Sequence, residues 1–316
     1  MLKCTLCGRE EAVLSRPYSG EKLCQRCFCA SIKDRVRSAI STYQMFEYDD
    51  TIAVALSGGK DSITLLHILT EIEEEFPKSS VCAVSVDEGI RGYRDEALRI
   101  AQKTCRELGV EHKIVSFKEL FGYDLDEIVN IRKGKSGGLS PCSYCGVLRR
   151  RALNLAAREV GADKLALAHN LDDEAQTMLL NIIHGDAVRI VRTRPASIKV
   201  HPKLVPRVKP MCLIPEREIA FYAYLNNFEF QTISCRYRGT ALRGDLRETL
   251  NRLEVKYPGT KFTIFRSSER IRSLLEGAIK PVQLKECSEC GETTPESLCK
   301  PCQLLREIRV LATSKE

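Results

Sequence analysis

Residues 51–62 read TIAVALSGGKDS: an apolar run from Thr51 to Leu56, followed without a break by Ser57, Gly58, Gly59, Lys60, Asp61 and Ser62. The run has the length and composition of a buried strand. The two glycines permit a tight turn, and the stretch from Asp61 to Phe76 reads as a helix. Such a strand-to-helix turn aims successive backbone N–H groups and the positive end of a helix dipole at one point, which makes a cradle for phosphate. It is not the G-x-x-x-x-G-K-S/T loop, because the glycines are adjacent and Asp61 follows Lys60 directly.

Moving outward, strands are expected at Val81–Val86, Lys113–Phe117 and Lys164–Ala168, and helices at Arg94–Leu108, Cys142–Val160 and Leu171–Ile183. The alternation predicts an α/β domain built on a doubly wound parallel sheet, with ligands held at the C-terminal ends of the strands. Ala55, Val86 and Ala168 lie at or beside such ends and are counted with the nucleotide site. Ala168 opens the run AHNLDD, which brings Asp172 and Asp173 to the same edge. Capping of the following helix is the alternative role for either aspartate. Further helices are expected before the domain, from Ala30 to Phe46, and after it, at Glu216–Asn226 and Ala241–Tyr257. The prolines at 195, 202, 206, 210 and 215 predict an extended connection between domain and later helices.

Both flanks carry paired cysteines. Cys4-x-x-Cys7 with Cys24-x-x-Cys27, and Cys287-x-x-Cys290 with Cys299-x-x-Cys302, each supply four soft ligands in two tight knuckles, which suits a tetrahedral structural Zn2+. With 316 residues, 29% charged and 43% hydrophobic, the chain has length for about two globular domains and is neither disordered nor fibrous. It holds no run of the roughly 18 to 20 apolar residues a membrane helix needs, and it opens on MLKCTLCGRE rather than on a signal sequence. The expectation is a cytoplasmic protein without a membrane partner, whose 15 cysteines serve metals rather than disulfides. Two Zn(Cys)4 sites would remove about four of the formal +7 charges, so net charge says little about partners. The local crowd of basic residues between Arg149 and Arg243, among them Arg150, Arg189, Arg207 and Arg238, says more.

Three cysteines stand apart from the knuckles in polar settings. Cys142 and Cys145, in PCSYCG, share one face at the start of a helix, where the dipole is expected to lower both thiol pKa values. Two thiolates do not complete a metal site. Cys235, in the basic segment ISCRYR, is the best third ligand, whereas Cys82, Cys105 and Cys212 sit in apolar contexts and are expected to be inert.

SGGKDS resembles the PP-loop of the ATP-pyrophosphatase (adenine nucleotide alpha hydrolase-like) superfamily, which cleaves ATP between its α and β phosphates to adenylate a substrate. With SPCSYCGVLRR, LALAHNLDDEAQT, RVKPM, a later cysteine and the terminal CxxC modules, nearly the whole chain resembles the TtuA family of tRNA 2-thiouridine synthetases. The resemblance implies that Ser57, Gly58, Gly59 and Ser62 hold the leaving pyrophosphate, that Lys60 meets its charge, and that Asp61 helps bind Mg2+. It makes Lys60, Asp61, Arg149 and Asp173 the catalytic set, with Arg149 and Asp173 also at ATP; arginine keeps the charge some members carry as lysine, but not its use as a base. It implies a [4Fe-4S] cluster on Cys142, Cys145 and Cys235 with one iron open for sulfide. The implied product is 2-thiouridine at tRNA position 34 or 54, and sulfur comes from free sulfide or a ubiquitin-like carrier protein. A homodimer is the implied assembly. The expected divisions are a zinc finger at 1–29, the PP-loop domain at 30–215, a helical tRNA-binding and cluster-completing region at 216–280 and a second zinc finger at 281–316. A cysteine persulfide in place of the cluster, a tRNA 2-thiocytidine synthetase, and a zinc-ribbon nucleic-acid-binding scaffold are the alternatives.

Overall fold

The computed structural model describes residues 2–135, 139–237, 242–279 and 283–313. Part of the glycine-rich stretch 132–141, and Arg238, lie outside the described residues.

The N-terminal module is a small hairpin, β1 (Leu14–Arg16) and β2 (Glu21–Leu23), which runs into α1 (Gln25–Thr42). That helix begins inside the second cysteine knuckle rather than after it, so Cys27 is a helical residue. The central unit follows as β3 (Thr51–Ala55), α2 (Lys60–Glu73), β4 (Ser80–Asp87), α3 (Arg94–Leu108), β5 (Glu111–Ser116), α4 (Phe117–Phe121), α5 (Leu125–Arg132), α6 (Pro141–Glu159), β6 (Lys164–Ala166), α7 (Leu171–Ile183), α8 (Ala187–Arg192) and β7 (Arg207–Val208). Three helices, α9 (Glu216–Leu225), α10 (Leu242–Lys256) and α11 (Thr260–Leu275), precede the C-terminal hairpin β8 (Lys285–Glu286) and β9 (Thr293–Thr294), which feeds α12 (Lys300–Thr313).

The five central strands run parallel in the order β5-β4-β3-β6-β7. The chain therefore starts in the middle, builds outward to β5, then crosses back to β6. That reversal beside β3 is a switch point, where an open parallel sheet leaves a crevice at its C-terminal edge. The phosphate loop leaves β3 at this crevice.

Both faces of the sheet are covered, as a parallel sheet requires. Along β3 the side chains alternate: Ile52 and Val54 pack into the core under α1, α2, α3 and α9, while Ala53 faces the opposite core with α5, α6 and α12. The fifth strand, β7, falls within the proline-rich stretch expected to be an extended connection. Pro206 is tolerated because it immediately precedes β7 and contributes only its carbonyl, accepting from Leu165 N at 2.8 Å. The outer side of β7 bonds the 195–197 stretch, Ser197 N donating to Arg207 O and Lys209 N to Pro195 O, both at 2.8 Å. The later helices are not a free-standing appendage: α9 packs on α1 and α2, and α10 and α11 pack on α7.

Candidate active site

The loop between β3 and α2 is fixed by its own serines. Ser62 Oγ accepts from Ser57 N at 3.1 Å and donates to Gly59 O at 3.0 Å, and the two serine hydroxyls lie 2.9 Å apart. Gly58 has φ +83°, and a Cβ there would stand 2.3 Å from the carbonyl oxygen of Ala97 on α3. Glycine is therefore needed both for the backbone angle and for the close approach of loop to helix. Gly59, the N-cap of α2, has an ordinary φ of −84°. Ala55 ends β3 and Ala168 lies two residues beyond β6, so both flank the loop's crevice. The Val86 carbonyl, near the end of β4, is occupied by Arg94 Nε at 2.7 Å.

Charges gather on the other side of the loop. Lys60 Nζ lies 2.9 Å from Asp61 Oδ2 and 2.8 Å from Glu216 Oε1, and Arg247 of α10 donates to both oxygens of Glu216 at 2.9 Å. Burial opposes the charge on Lys60, yet Asp61 and Glu216 outweigh it and hold the amine above its usual pKa. Burial pushes the Asp61 carboxyl up; Lys60 opposes this, and Glu216 and Asp173 add to it. Asp61 Oδ1 is buried and has no hydrogen-bond partner among the described residues. An orphaned carboxylate oxygen, electrostatically coupled to a second aspartate at a phosphate cradle, fits the hard-oxygen coordination that Mg2+ takes.

Asp173 also caps α7, in a box with Asn170: Asn170 Oδ1 accepts from Asp173 N at 3.0 Å, and Asp173 Oδ2 from Asn170 N at 3.2 Å. Its other oxygen meets Arg243 Nη2 at 3.1 Å. Asp172 does not cap α7. It is buried, accepts from Glu216 N at 2.8 Å, and is ion-paired with the buried Lys261.

The three separate cysteines converge beside this crevice. Ser140 caps α6 and Pro141 takes its first turn, so Cys142 and Cys145 follow on one face of the helix start. The Cys142 Sγ donates to Tyr237 O at 3.1 Å, two residues from Cys235. Cys235 packs against the same apolar cluster that buries Cys145. The segment that carries Cys235 is docked on the phosphate loop, with Gln231 N donating to Gly58 O at 2.9 Å. Beyond Cys235, Asp126 holds Tyr237 OH at 2.7 Å and is ion-paired with Arg236. Three thiols, with Cys142 exposed, Cys235 half-buried and Cys145 buried, supply soft donors of the kind that suits an iron–sulfur cluster. Burial pushes the Cys145 thiol up to about 11 although Arg149 pulls the other way, so desolvation outweighs the lowering expected from the helix dipole.

Arg149 lies on α6 one turn after Cys145. Its Nη2 is 2.9 Å from Cys145 Sγ and its Nε 2.6 Å from Glu88 Oε1, so it faces the cysteines while Lys60 and Asp61 face α9 and α10. Cys82 and Cys105 are buried, with pKa values pushed up by desolvation to about 11 and about 12, and Cys212 is buried and raised as well.

The terminal knuckles close into two compact sulfur groups, Cys4, Cys7, Cys24 and Cys27, and Cys287, Cys290, Cys299 and Cys302, each with all four ligand atoms within 4.8 Å of one another. Tetrahedral Zn–S bonds of about 2.3 Å place sulfurs about 3.8 Å apart. The separations of 3.9 Å for Cys7–Cys24 and 3.6 Å for Cys290–Cys299 fit such a site. The second group docks on α6, where Arg151 and Arg158 both pair with Glu292 at 3.2 Å and 2.7 Å.

Sequence reasoning missed Glu88, Arg94, Asp126, Glu216 and Gln231. Glu216 follows Pro215 at a helix start, a readable position, but its partner Lys60 is far away in sequence. Nothing in the local pattern marks the others.

Comparison with known proteins agrees with this geometry. Residues 31–253 match the PP-loop domain, and residues 3–29 match the N-terminal LIM domain of the 2-thiouridine synthetase TtuA. The tRNA 2-thiolation protein NcsA of Haloferax volcanii is 35% identical over 98% of this chain and 100% of its own. Cytoplasmic tRNA 2-thiolation protein 1 of Danio rerio is 36% identical over 96% of this chain and 88% of its own. The solved structure of the U34-tRNA thiolase NcsA from Methanococcus maripaludis, with its [4Fe-4S] cluster, superposes with a TM-score of 0.84 at 35% identity, covering 97% of this chain and 96% of that one.

Proposed function

Because the chain belongs to the PP-loop family of tRNA 2-thiolation proteins, we propose that it activates a tRNA uridine at O2 with ATP and then replaces that oxygen by sulfur. One observation carries the reading: the backbone bond from Gln231 to Gly58 joins the segment bearing Cys235 to the phosphate loop, so activation and sulfur delivery share one crevice. Uridine O2 is a poor leaving group. Attack of O2 on the α phosphate expels pyrophosphate, and the oxygen then departs with AMP when sulfur attacks C2.

Each step has residues to serve it. Ser57, Gly58, Gly59 and Ser62 present the loop that receives the leaving pyrophosphate, and Lys60 faces the negative charge that develops there. Asp61, with Asp173 beside it, would hold Mg2+ against the phosphates. Cys142, Cys145 and Cys235 would hold a [4Fe-4S] cluster, which when bound supplies an open iron for hydrosulfide. The terminal cysteine groups would each hold a Zn2+ that folds its module.

The arginines beside Cys145 support a polyanionic substrate. The Arg150 guanidinium lies over Gly146, where an added Cβ would sit 3.7 Å from its Nη1, and Arg207 reaches the Arg150 carbonyl at 3.1 Å. Among the described residues neither arginine has a carboxylate within ion-pair distance, so both are available to phosphate. Position 34 is favoured over 54 by the relative described as a U34-tRNA thiolase. We place the protein in the cytoplasm as a homodimer, with sulfur arriving as sulfide or from a ubiquitin-like carrier. Among the described residues, no helix is long and apolar enough to cross a membrane. Mass spectrometry of tRNA nucleosides from a deletion strain tests the reading: 2-thiouridine at position 34 should disappear, and its persistence would refute it.

A further inference from the structure

We propose that the buried Glu88 is a positioning residue that ties the phosphate loop to the cluster ligand Cys145 through two arginines, so that filling the nucleotide site alters the hydrogen bond on the Cys145 sulfur. The proposal rests on the cluster reading above and goes beyond it by naming the coupling between the two halves of the site.

The chain of contacts is continuous. Arg94, at the start of α3, donates from Nη1 to Ser57 O at 2.7 Å, the first residue of the phosphate loop, and from Nε to Val86 O at 2.7 Å. The same Nε lies 3.1 Å from Glu88 Oε2, a buried ion pair without a hydrogen bond, because the Nε–H is given to Val86 O. The other oxygen, Glu88 Oε1, takes Arg149 Nε at 2.6 Å, and Arg149 Nη2 reaches Cys145 Sγ at 2.9 Å. Each carboxylate oxygen thus serves a different arginine.

Burial is what makes this a linkage rather than a set of independent contacts. The Glu88 and Arg94 side chains are 4% and 6% exposed. Pulling either away would strand an uncompensated charge out of water, so the pair moves together or not at all. The phosphate loop has little slack of its own, since Gly58 is pressed against the Ala97 carbonyl. A displacement of the Ser57 carbonyl by bound phosphate is therefore passed to Arg94, to Glu88 and on to Arg149. Arg149 is the solvent-facing end, 47% exposed and free of other carboxylates among the described residues. An N–H donor on a ligating sulfur draws charge from it and raises the cluster's reduction potential. Nucleotide occupancy would then be read at the metal.

The test uses the full-length, cluster-loaded protein and follows the reduction potential by electron paramagnetic resonance, with and without a non-hydrolysable α,β-methylene ATP analogue and Mg2+. The wild-type potential should shift when the analogue is added. With the analogue at saturating concentration for each variant, Arg149→Gln and Glu88→Gln should keep their iron and show a more negative potential that no longer responds to it. A response that survives in Arg149→Gln, a wild-type cluster that ignores the analogue, or loss of iron from Arg149→Gln each overturns the coupling while leaving the thiolation reading intact. Should Glu88→Gln fail to fold, the partly exposed Arg149→Gln decides alone. A wild-type protein that assembles no cluster would bring down the cluster reading itself.

Discussion

Alanine at Gly58 and alanine at Gly59 should behave quite differently although the residues are adjacent. At Gly58 the backbone has φ +83°, which costs a side chain about 1–2 kcal/mol. The new Cβ would also lie 2.3 Å from the Ala97 carbonyl oxygen, a backbone atom that moves only if α3 moves. Overpacking of this kind adds about 1–3 kcal/mol. Together the two effects destabilise the fold by about 2–5 kcal/mol, a fall in melting temperature of roughly 5–15 °C for a domain of this size. At Gly59 φ is −84° and the nearest atom to a new Cβ is Ser57 Oγ at 3.5 Å, an ordinary contact. Replacing glycine by alanine at an N-cap costs below about 1 kcal/mol, or roughly 3 °C. Differential scanning calorimetry of the two variants checks this directly. A Gly59→Ala loss equal to that of Gly58→Ala, or a Gly58→Ala melting point within 2–3 °C of wild type (about 1 kcal/mol), would refute the steric argument.

Other perturbations separate the parts of the site. Lys60→Ala should slow adenylation about 10²-fold, measured as pyrophosphate release, while iron and zinc contents stay unchanged. Cys142→Ala should keep nucleotide binding by calorimetry and form no 2-thiouridine, whereas Cys105→Ser, at a buried helix position, should retain the cluster absorbance. Cys299→Ser should halve the zinc found by elemental analysis and expose α12 to protease, the outcome expected of a module that a bound metal would fold. Glu216 gives a pH signature. Despite burial, Lys60 and Arg247 hold its carboxyl below the usual 4.5, so its stabilising contribution is complete above that value and fades as pH falls through the folded pKa. Denaturant titrations should therefore show wild type losing more stability than Glu216→Gln below pH 4.5, and parallel curves would contradict the assignment.

Much of this site is legible in the sequence because it is local. The strand, the glycine turn and the helix of 51–73 follow one another without interruption, and the cysteine knuckles declare their ligands by spacing. The Arg149–Cys145 contact is an i, i+4 pair on one helix face and was readable in the same way. The short helices α4 and α5 were also signalled, by the capping boxes Ser116 with Glu119 and Asp124 with Glu127, but were overlooked between longer elements. Helix α11 was missed because Gly259 separates it from α10 with a φ of +94°. The Glu88 and Glu216 ion pairs were out of reach for a different reason. Their partners arrive from other elements of the sheet and its covering helices, so no periodicity brings them together before the chain folds.

The most direct test of the account is a single stoichiometry. Anaerobically reconstituted protein, given unmodified tRNA, Mg2+, ATP and sulfide, should form one AMP and one pyrophosphate for each 2-thiouridine recovered by nucleoside mass spectrometry. Release of ADP and phosphate, or thiolation that proceeds without AMP, would contradict it.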